Sequence, residues 1–415
     1  SSPAVCMPSR AMLHTGRSLF HLTGSGQSVA EDHTLLGEHL RACGYETFGT
    51  GKWHNGLTAF NRSFTGGDEI FFGGMVDHWN VPAHRYDPTC TYNNHILRCT
   101  SPGTSKETVA LHGDHLTGGY HSSEMVCDAA IRFLREGSQT DNPFFAYVSF
   151  LAPHDPRVMP QKFRDLYNPA DIDLPPNFLG GHPFNIGSLQ IRDELLARFP
   201  RDPDETREHL ADYYGMISHL DYQLGRVLET LEGTGQLDNT IIIFAGDNGL
   251  ALGQHGLFGK QNLYDHSVRV PLIMAGPGIP AGKTTDAFAY LLDIFPTLCE
   301  LTGNSIPDSV EGRSLVSALQ GQDAIREYLF SAYMGCQRAI RNRQYKLIEY
   351  VIDGSHTMTQ LFDLQNDPWE TRNLASEADQ QARVSEMRQL LRTTAESWDD
   401  AKSPWGQEFW SGYDS

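Results

Sequence analysis

The chain has 415 residues, of which 40% are hydrophobic and 20% charged, and this composition is typical of a globular protein with a large core. Its 32 lysines and arginines against 51 aspartates and glutamates give a net charge of -19, which argues against a general nucleic-acid-binding protein. No apolar run approaches the length that crosses a bilayer, so no transmembrane segment is expected. An anionic ligand is still compatible with this charge, because salt screens distant charges and a local group of cations decides binding.

Apolar runs that end in polar loops predict buried strands in the first three quarters of the chain. Their positions are 45–54, 143–156, 239–249 and 270–278. Helical periodicity lies between them, at 32–43, 123–137 and 205–232. Asp32 is the expected cap of the first of these helices. Strands that alternate with helices predict an α/β layered domain.

The pattern changes at about residue 322, where a strand pair and then a helix near 378–397 are expected. We therefore predict a larger domain at 1–322 and a smaller α+β subdomain with a small antiparallel sheet at 323–415.

The segment 78–122 is rich in histidine, asparagine, threonine and glycine and has little periodicity. We expect a long loop at the rim of a site. Its histidines could line a ligand subsite at that rim, and His112 and His115 could instead bind a metal ion. Cys90 and Cys99 bracket a short polar loop and could form a disulfide in an oxidising compartment.

Three predicted strands end in loops that carry ionisable or amide side chains. These side chains are Lys52 and His54, then His154 and Asp155, then Asp247 and Asn248. In open α/β sheets ligands bind beyond the carboxyl ends of the strands, so we expect these groups to converge on one edge. Lys260 follows in a glycine-rich loop thirteen residues after Asp247.

The opening stretch places a thiol and a guanidinium at the start of a predicted helix. Cys6 and Arg10 flank Pro8, which suits a first helical turn because it has no N–H to lose. The free N–H groups and the dipole at a helix start favour an anion. Taken singly, each residue has an ordinary interpretation: a cysteine is often a buried hydrophobe, and Asp247 and Asn248 favour turns. Their joint occurrence with the strand-end groups favours a site.

Six motifs in one order give the chain a resemblance to a known family. Residues 6–10 read C-x-P-S-R and continue into LHTGR, and the later motifs are GTGKWHNG, APHDP, DNGLALGQHGLFGK, RVPLIMAGPG and LFDLQNDPWETRNL. This set resembles the type I, formylglycine-dependent sulfatases of the alkaline phosphatase-like superfamily, from the first residues to about residue 375. The resemblance implies a large mixed sheet sandwiched between helices. It also implies a sulfuric ester hydrolase that releases inorganic sulfate, with a sulfated carbohydrate as the expected substrate.

The resemblance implies roles for the residues at matching positions. Cys6 matches the cysteine that a dedicated maturation enzyme oxidises to formylglycine, whose hydrated form supplies the attacking hydroxyl. Arg10 matches the residue that holds this nucleophile. Asp247 and Asn248, together with the residue made from Cys6, match ligands of a divalent cation, usually Ca²⁺ with Mg²⁺ as the alternative.

The remaining matches concern the sulfate group and the leaving alcohol. Lys52 and Lys260 match the lysines that grip sulfate oxygens. His54 matches the histidine at the formylglycine hydroxyl that helps to expel sulfate, and His154 matches the substrate-binding proton donor to the leaving alcohol. These residue types fit the chemistry, because charge builds on the leaving oxygen while sulfur is attacked.

In this family a first strand precedes the C-x-P-S-R motif and ends in two aspartates that complete the metal site. The chain begins too late to contain them, so we expect a fragment that is inactive and poorly stable alone. The alternatives are a phosphonate monoester or phosphodiester hydrolase on the same scaffold, and a non-catalytic homologue that binds sulfated ligands. We expect a periplasmic or secreted protein.

Overall fold

The computed structural model describes residues 4–22, 26–101, 103–137, 142–322 and 325–415. These residues form two compact units, each built from separate stretches of the chain. The first unit contains the chain up to Gly26, Asp173–Arg207 and Ile242–Ser415. The second unit contains Gln27–Ile172 and Glu208–Ile241.

The α-helices follow the predicted helical stretches and add several short ones. They are α1 (Cys6–Thr15), α2 (Leu36–Ala42), α3 (Leu57–Ser63), α4 (Ser122–Gly137), α5 (Gln161–Arg164), α6 (Pro203–Gly233), α7 (Asp265–Val268), α8 (Ile294–Leu301), α9 (Val316–Leu319), α10 (Gln381–Ser397) and α11 (Pro404–Tyr413). Helix α2 begins later than predicted, because Glu38 rather than Asp32 caps it by accepting a bond from the Leu35 N–H. Within the described ranges no helix is both long and apolar enough to cross a membrane.

The strands of the described residues fall into five small sheets. They are β1 (Glu46–Lys52), β2 (Gly66–Phe71), β3 (Pro82–Ala83), β4 (His95–Cys99), β5 (Thr108–His112), β6 (His115–Leu116), β7 (Phe144–Ser149), β8 (Ile242–Ala245), β9 (Leu272–Ala275), β10 (Leu329–Tyr333), β11 (Gln337–Arg341), β12 (Tyr345–Ile352) and β13 (Ser355–Asp363). The strands predicted for one large sheet lie in a parallel sheet of order β2-β1-β7 and an antiparallel pair β8-β9.

The second unit is built around the parallel sheet. Strand β1 lies in its centre, pairs with β2 on one side and β7 on the other, and is buried along almost its whole length. Aromatic rings of Trp53, Phe60 and Phe64 pack edge to face or tilted beside it at centroid distances of 4.7–5.5 Å. Because parallel strands share a direction, the segments that follow β1 and β7 lie at one edge of this sheet.

The histidine-rich segment 78–122 is more ordered than the predicted loop. It forms the antiparallel pairs β4-β5 and β3-β6. His78, His84 and His121 are buried, and the ligand subsite considered for this segment stays a prediction. The structure does not support the alternative of a metal site at residues 112–115. His115 pairs with Glu69 and Asp114, and no group of three His, Cys, Asp or Glu side chains among the described residues is arranged to hold a metal ion.

The first unit combines α1 and the β8-β9 pair with an antiparallel sheet of order β10-β11-β12-β13. Helices α10 and α11 pack on this sheet through an apolar cluster that includes Leu347, Met387 and Phe409. Arg338 and Asp400 form a fully buried ion pair in the same region. The subdomain boundary at residue 322 stays a prediction, and residues 325–415 lie within the first unit.

All seven cysteines lie in the described part of the chain, and all are free thiols there. The disulfide considered for Cys90 and Cys99 is therefore absent.

Candidate active site

Helix α1 places Cys6 and Arg10 in the first unit. Val5 adopts an extended conformation before the helix, and Pro8 lies in the first turn, where its missing N–H costs no hydrogen bond. The helix ends at Gly16, whose left-handed φ of 64° lets its N–H bond to Met12 O. Cys6 is the first helical residue and is only 5% exposed. The thiol therefore lies where the helix has free N–H groups and a positive dipole end.

Asp247 follows strand β8 at the position that the sequence predicts, and α1 holds it from two sides. Arg10 Nε donates to Asp247 Oδ2 at 2.8 Å, and Ser9 Oγ donates to the Asp247 backbone oxygen. The loop turns tightly at Gly249, where a Cβ would lie 1.8 Å from the carbonyl oxygen of His266. A side chain at this glycine would therefore displace the loop that carries Asp247.

Asn248 has a buried side-chain oxygen with no hydrogen-bond partner. Its amide nitrogen donates to the Gly249 oxygen at 2.9 Å, so the oxygen is left as an unsatisfied acceptor. Such a group costs free energy unless a ligand satisfies it, and carboxylate and amide oxygens are the ligands that hard divalent cations prefer. Asp247 and Asn248 therefore fit two positions of a divalent-cation site. Calcium takes six to eight oxygens, so these two residues supply part of such a site.

Lys260 is the second buried cation of this group, with 5% of its surface exposed. Its Nζ bonds to the Cys6 thiol and lies 3.8 Å from Asp193 Oδ2. Burial alone would lower the pKa of Lys260, but Cys6, Asp193 and Asp247 together raise it above its usual range. The ammonium group therefore stays protonated beside Cys6.

The loop before Lys260 is fixed by a carboxylate that the sequence analysis missed. Glu194 accepts the N–H groups of Phe258 and Gly259 at 2.9 and 2.8 Å and pairs with Arg201. Asp193, which lies beside Lys260, was missed as well. Both belong to a stretch without periodicity or motif, so no local pattern marks them. Ser9, by contrast, stands inside the C-x-P-S-R motif and could have been found there.

In the second unit Lys52 ends strand β1 and is 2% exposed. The pairing of β1 with β2 shifts register between Thr50 and Gly51. Gly51 adopts a φ of 80°, and a Cβ there would lie 1.9 Å from Ser149 O of the neighbouring strand β7. A bulge of this kind re-aims the side chain that follows it, so the glycine determines where Lys52 points.

His54 lies two residues further on, in a left-handed conformation with φ of 69°. Its ring packs against Gly74, where a Cβ would lie 2.9 Å from Cε1 and 3.0 Å from Nε2. The ring can occupy this position only because residue 74 has no side chain. A non-glycine residue at positive φ is uncommon and costs about 1 kcal/mol, so the turn holds His54 in a defined place.

His154 follows strand β7, and its ring is held by its own backbone. His154 Nδ1–H donates to the Asp155 carbonyl at 3.0 Å, which sets Nε2 as the atom that takes up or releases a proton. The next side chains are paired: Arg157 Nη2 lies 2.8 Å from Asp155 Oδ1, and Arg157 Nη1 donates to His209 Nδ1 at 2.7 Å. The segment that carries His154 is therefore fixed by buried polar contacts.

The structure thus places the predicted site residues in two groups. The first unit brings together Cys6, Arg10, Asp247, Asn248 and Lys260. The second unit contains Lys52, His54 and His154, of which Lys52 and His154 follow neighbouring parallel strands. Each assignment of a chemical role to these residues remains a prediction from the motifs.

Comparison with known proteins gives matches along almost the whole chain. Residues 1–304 match the family model described as Sulfatase, and residues 253–397 match the model described as N-sulphoglucosamine sulphohydrolase, C-terminal. The chain is also similar to a choline-sulfatase of Rhizobium meliloti, with 32% identity over 397 residues that cover 90% of this chain and 74% of the relative.

Two solved structures share the fold. One, determined in complex with its substrate D-glucosamine-2-N,6-O-disulfate, has a TM-score of 0.73 and 22% identity and covers 96% of this chain and 90% of its own. The other, the phosphonate monoester hydrolase of Agrobacterium radiobacter, has a TM-score of 0.71 and 23% identity. The match covers 94% of this chain and 86% of the hydrolase chain. These likenesses confirm the predicted alkaline phosphatase-like α/β fold.

Proposed function

The chain belongs to the sulfatase family, and we propose that it releases inorganic sulfate from a sulfated carbohydrate with a formylglycine made from Cys6. One observation carries the proposal: Cys6 begins helix α1 beside the protonated Lys260, and Arg10 of the same helix pairs with Asp247. A thiol with no chemical role gains nothing from this arrangement, because an uncharged buried cysteine needs neither cation.

The nucleophile is the part of the proposal that depends on a modification. A maturation enzyme would oxidise Cys6, and the hydrated aldehyde would supply the attacking hydroxyl. Around that position the chain itself supplies the helix N–H groups, the Arg10 guanidinium and the Lys260 ammonium. These fixed positive groups stabilise charge that develops on sulfuryl oxygens, because they need no reorganisation during the reaction.

Sulfatases generally use a divalent metal ion as well as a formylglycine. Asp247 and Asn248 would hold such an ion, with calcium as the first candidate and magnesium as the second, and the ion would stabilise negative charge on the bound sulfate. Arg10 would keep the Asp247 carboxylate in place whether or not the ion is bound, since their ion pair is direct.

Proton transfer is assigned to the two histidines of the second unit. His154 would donate a proton from Nε2 to the leaving alcohol, since its Nδ1 is already bonded to the Asp155 carbonyl. His54 would take the proton from the formylglycine hydroxyl when sulfate is expelled. Lys52 and Lys260 are assigned to sulfate oxygens.

The substrate class has weaker support than the reaction. A structure with the same fold was solved with a disulfated glucosamine as its substrate, which supports a sulfated sugar. The choline-sulfatase relative supports a small sulfate ester without a sugar, so free choline sulfate belongs in the same assay. The phosphonate monoester hydrolase fold likeness gives the second candidate function, hydrolysis of phosphonate monoesters.

The experiment uses the full-length, matured protein and compares it with Cys6→Ala and Cys6→Ser on 4-nitrophenyl sulfate, sulfated mono- and disaccharides, choline sulfate and a phenyl phosphonate ester. We expect sulfate release by the matured protein, no turnover by Cys6→Ala, and an aldehyde in place of the thiol in the Cys6 peptide by mass spectrometry. Faster hydrolysis of the phosphonate than of every sulfate would establish the second candidate. An unmodified Cys6 thiol from the native host would contradict both and favour a binding protein.

A further inference from the structure

Three buried histidines of the second unit form a row of ring contacts that the proposed reaction does not use. The rings of His78 and His121 are stacked at 5.2 Å between centroids, and the ring of His219 packs on His121 at 4.6 Å. All three are at most 1% exposed. We call His78, His121 and His219 the histidine ladder.

Two members of the ladder hold the backbone of the segment that carries His154. His78 Nε2 donates to the His154 carbonyl at 2.9 Å, and His121 Nε2 donates to the Val158 carbonyl at 3.0 Å. The two bonds therefore lie at the two ends of residues 154–158, which have no helix or strand of their own.

The other ring nitrogen of each histidine is also occupied, and this fixes the tautomer. His78 Nδ1 accepts from the Ser122 hydroxyl at 2.7 Å, and His121 Nδ1 accepts from the Ser123 N–H at 3.2 Å. Ser122 and Ser123 begin helix α4, so each ring connects the start of a helix to the His154 segment. An imidazole that donates at Nε2 and accepts at Nδ1 is neutral.

Burial keeps these rings neutral. Desolvation lowers the pKa of His78, and it lowers the pKa of His121 to about 3 and that of His219 to about 4. The carboxylates of Asp77 and Asp155 raise the pKa of His78, and the Lys162 ammonium lowers the pKa of His219 further. The Glu124 carboxylate lies 3.7 Å from His219 Nε2. None of these charges overcomes the burial, so the donor and acceptor roles persist at neutral pH.

We propose that His78 and His121 are positioning residues that hold the backbone of residues 154–158 so that His154 Nε2 is correctly placed for proton transfer. This inference rests on the proposed function of His154. The ring of His154 is bonded to the backbone of the next residue, so its position follows that of the segment. General acid catalysis requires the donor within hydrogen-bond reach of the leaving oxygen, and small displacements lower the rate steeply.

The test uses two substitutions at His78 and one matched control. His78→Leu removes the donor to the His154 carbonyl, whereas His78→Gln places an amide N–H near the position of Nε2. His33→Leu is the control, because His33 is a buried histidine of the same unit that lies outside residues 78–122 and 154–158. His121→Leu tests the second anchor in the same way.

The first readout is the dependence of kcat on the leaving group. A proton donor matters most for a poor leaving group, such as a sugar alcohol, and least for 4-nitrophenol. We expect His78→Leu to lower kcat on a sugar sulfate by about 10- to 100-fold and on 4-nitrophenyl sulfate by less than about 3-fold. His78→Gln should recover most of the loss, and His33→Leu should leave the ratio of the two rates unchanged.

The second readout is amide hydrogen exchange of the peptide that covers residues 150–158, which needs no turnover. His78→Leu and His121→Leu should speed exchange there, and His33→Leu should not. Faster exchange with equal losses on both substrates would reduce the ladder to a structural role and overturn the proposal. Unchanged exchange would show that His78 and His121 do not hold the segment, and this result would also overturn the proposal. If the matured wild-type protein released no sulfate, the proposed function would fail, while the exchange result would still decide whether the ladder anchors the segment.

Discussion

Arg10 and Lys260 in the first unit lie beside carboxylates, whereas His154 in the second unit lies on a segment anchored by uncharged imidazoles. The first group is held by ion pairs: Arg10 with Asp247, and Lys260 near Asp193. The second group has one ion pair, between Arg157 and Asp155, and is otherwise held by a strand bulge before Lys52, a left-handed turn at His54, and hydrogen bonds from neutral rings to carbonyl oxygens.

The difference follows from what each group has to do in the proposed reaction. A group that binds an anion and a metal ion needs permanent charges, and these must be paired where they are buried. A proton donor needs a ring that can change its charge, so its supports must not compete electrostatically for the proton. The two kinds of support also differ in which substitutions damage them, and this can be tested.

The largest effect is expected from the loss of the Arg10 guanidinium. Arg10→Met leaves the Asp247 carboxylate without its partner and removes a positive charge near Cys6, so kcat/KM for 4-nitrophenyl sulfate should fall by about 1,000-fold. Arg17→Met is the control, because Arg17 lies on the same stretch but pairs with Glu311. Equal activities of the two variants would show that charge does not organise the first group.

The backbone bulge of the second group can be broken at Gly51. Gly51→Ala places a Cβ against Ser149 O in a left-handed conformation and should lower the free energy of unfolding by about 3 kcal/mol. Gly44→Ala is the matched control, since Gly44 has a φ of 91° but no atom within 4 Å of its added Cβ. We expect Gly44→Ala to lower the free energy of unfolding by about 1 kcal/mol, measured by urea titration. Equal costs would mean that the close approach of β1 to β7 is not a constraint.

The unsatisfied oxygen of Asn248 gives a test of the metal-binding role that does not depend on activity. Asn248→Leu should weaken calcium binding to the chelator-treated protein by about 10-fold or more, measured by titration calorimetry. In the control Asn304→Leu, the lost amide donates only to Thr302, so calcium affinity should not change. Calcium binding of the same strength in all three proteins would place the cation elsewhere.

The last effect is the pH dependence that burial of His219 adds to stability. The pKa of His219 falls from 6.5 to about 4 on burial, so the unfolded chain takes up this proton first as the pH decreases. The stabilisation by neutral His219 is therefore complete above pH 6.5 and is lost as the pH falls towards 4. The slope contributed by this residue reaches at most about 1.4 kcal/mol per pH unit.

Replacing the ring by one that cannot titrate isolates this contribution. His219→Phe should flatten the unfolding free energy between pH 6.5 and 4 relative to wild type, measured by urea titration at each pH. Phe133→Leu removes a buried ring that packs on Phe48 and does not titrate, so it should lower stability by the same amount at every pH. Parallel curves for wild type and His219→Phe would contradict the assignment.

Much of the local structure could be predicted from the sequence. The helices at α4, α6 and α10 and the strands β8 and β9 lie where periodicity and apolar runs indicate them, because these signals depend on neighbours a few residues apart. The family and its fold followed from six motifs in order, and the comparisons confirm both. The bounds of α2 were less accurate, since a glutamate inside the helix caps it instead of Asp32.

The histidine-rich segment shows where the sequence was not enough. Its composition suggested an exposed rim, yet His78, His84 and His121 are buried, and two of them bond to backbone carbonyls. Composition alone cannot distinguish a solvated histidine from a buried one, because a neutral imidazole can satisfy both nitrogens inside a protein.

The sequence by itself determined which chemical groups this protein has and in which local elements they stand: a cysteine at a helix start, and cations, histidines and oxygen ligands after strands. Only the tertiary structure decided which partner each of them has. Arg10 reaches an aspartate 237 residues away, and His78 reaches a carbonyl 76 residues away. Local patterns carry no record of such pairs, because the packing of distant segments brings them together.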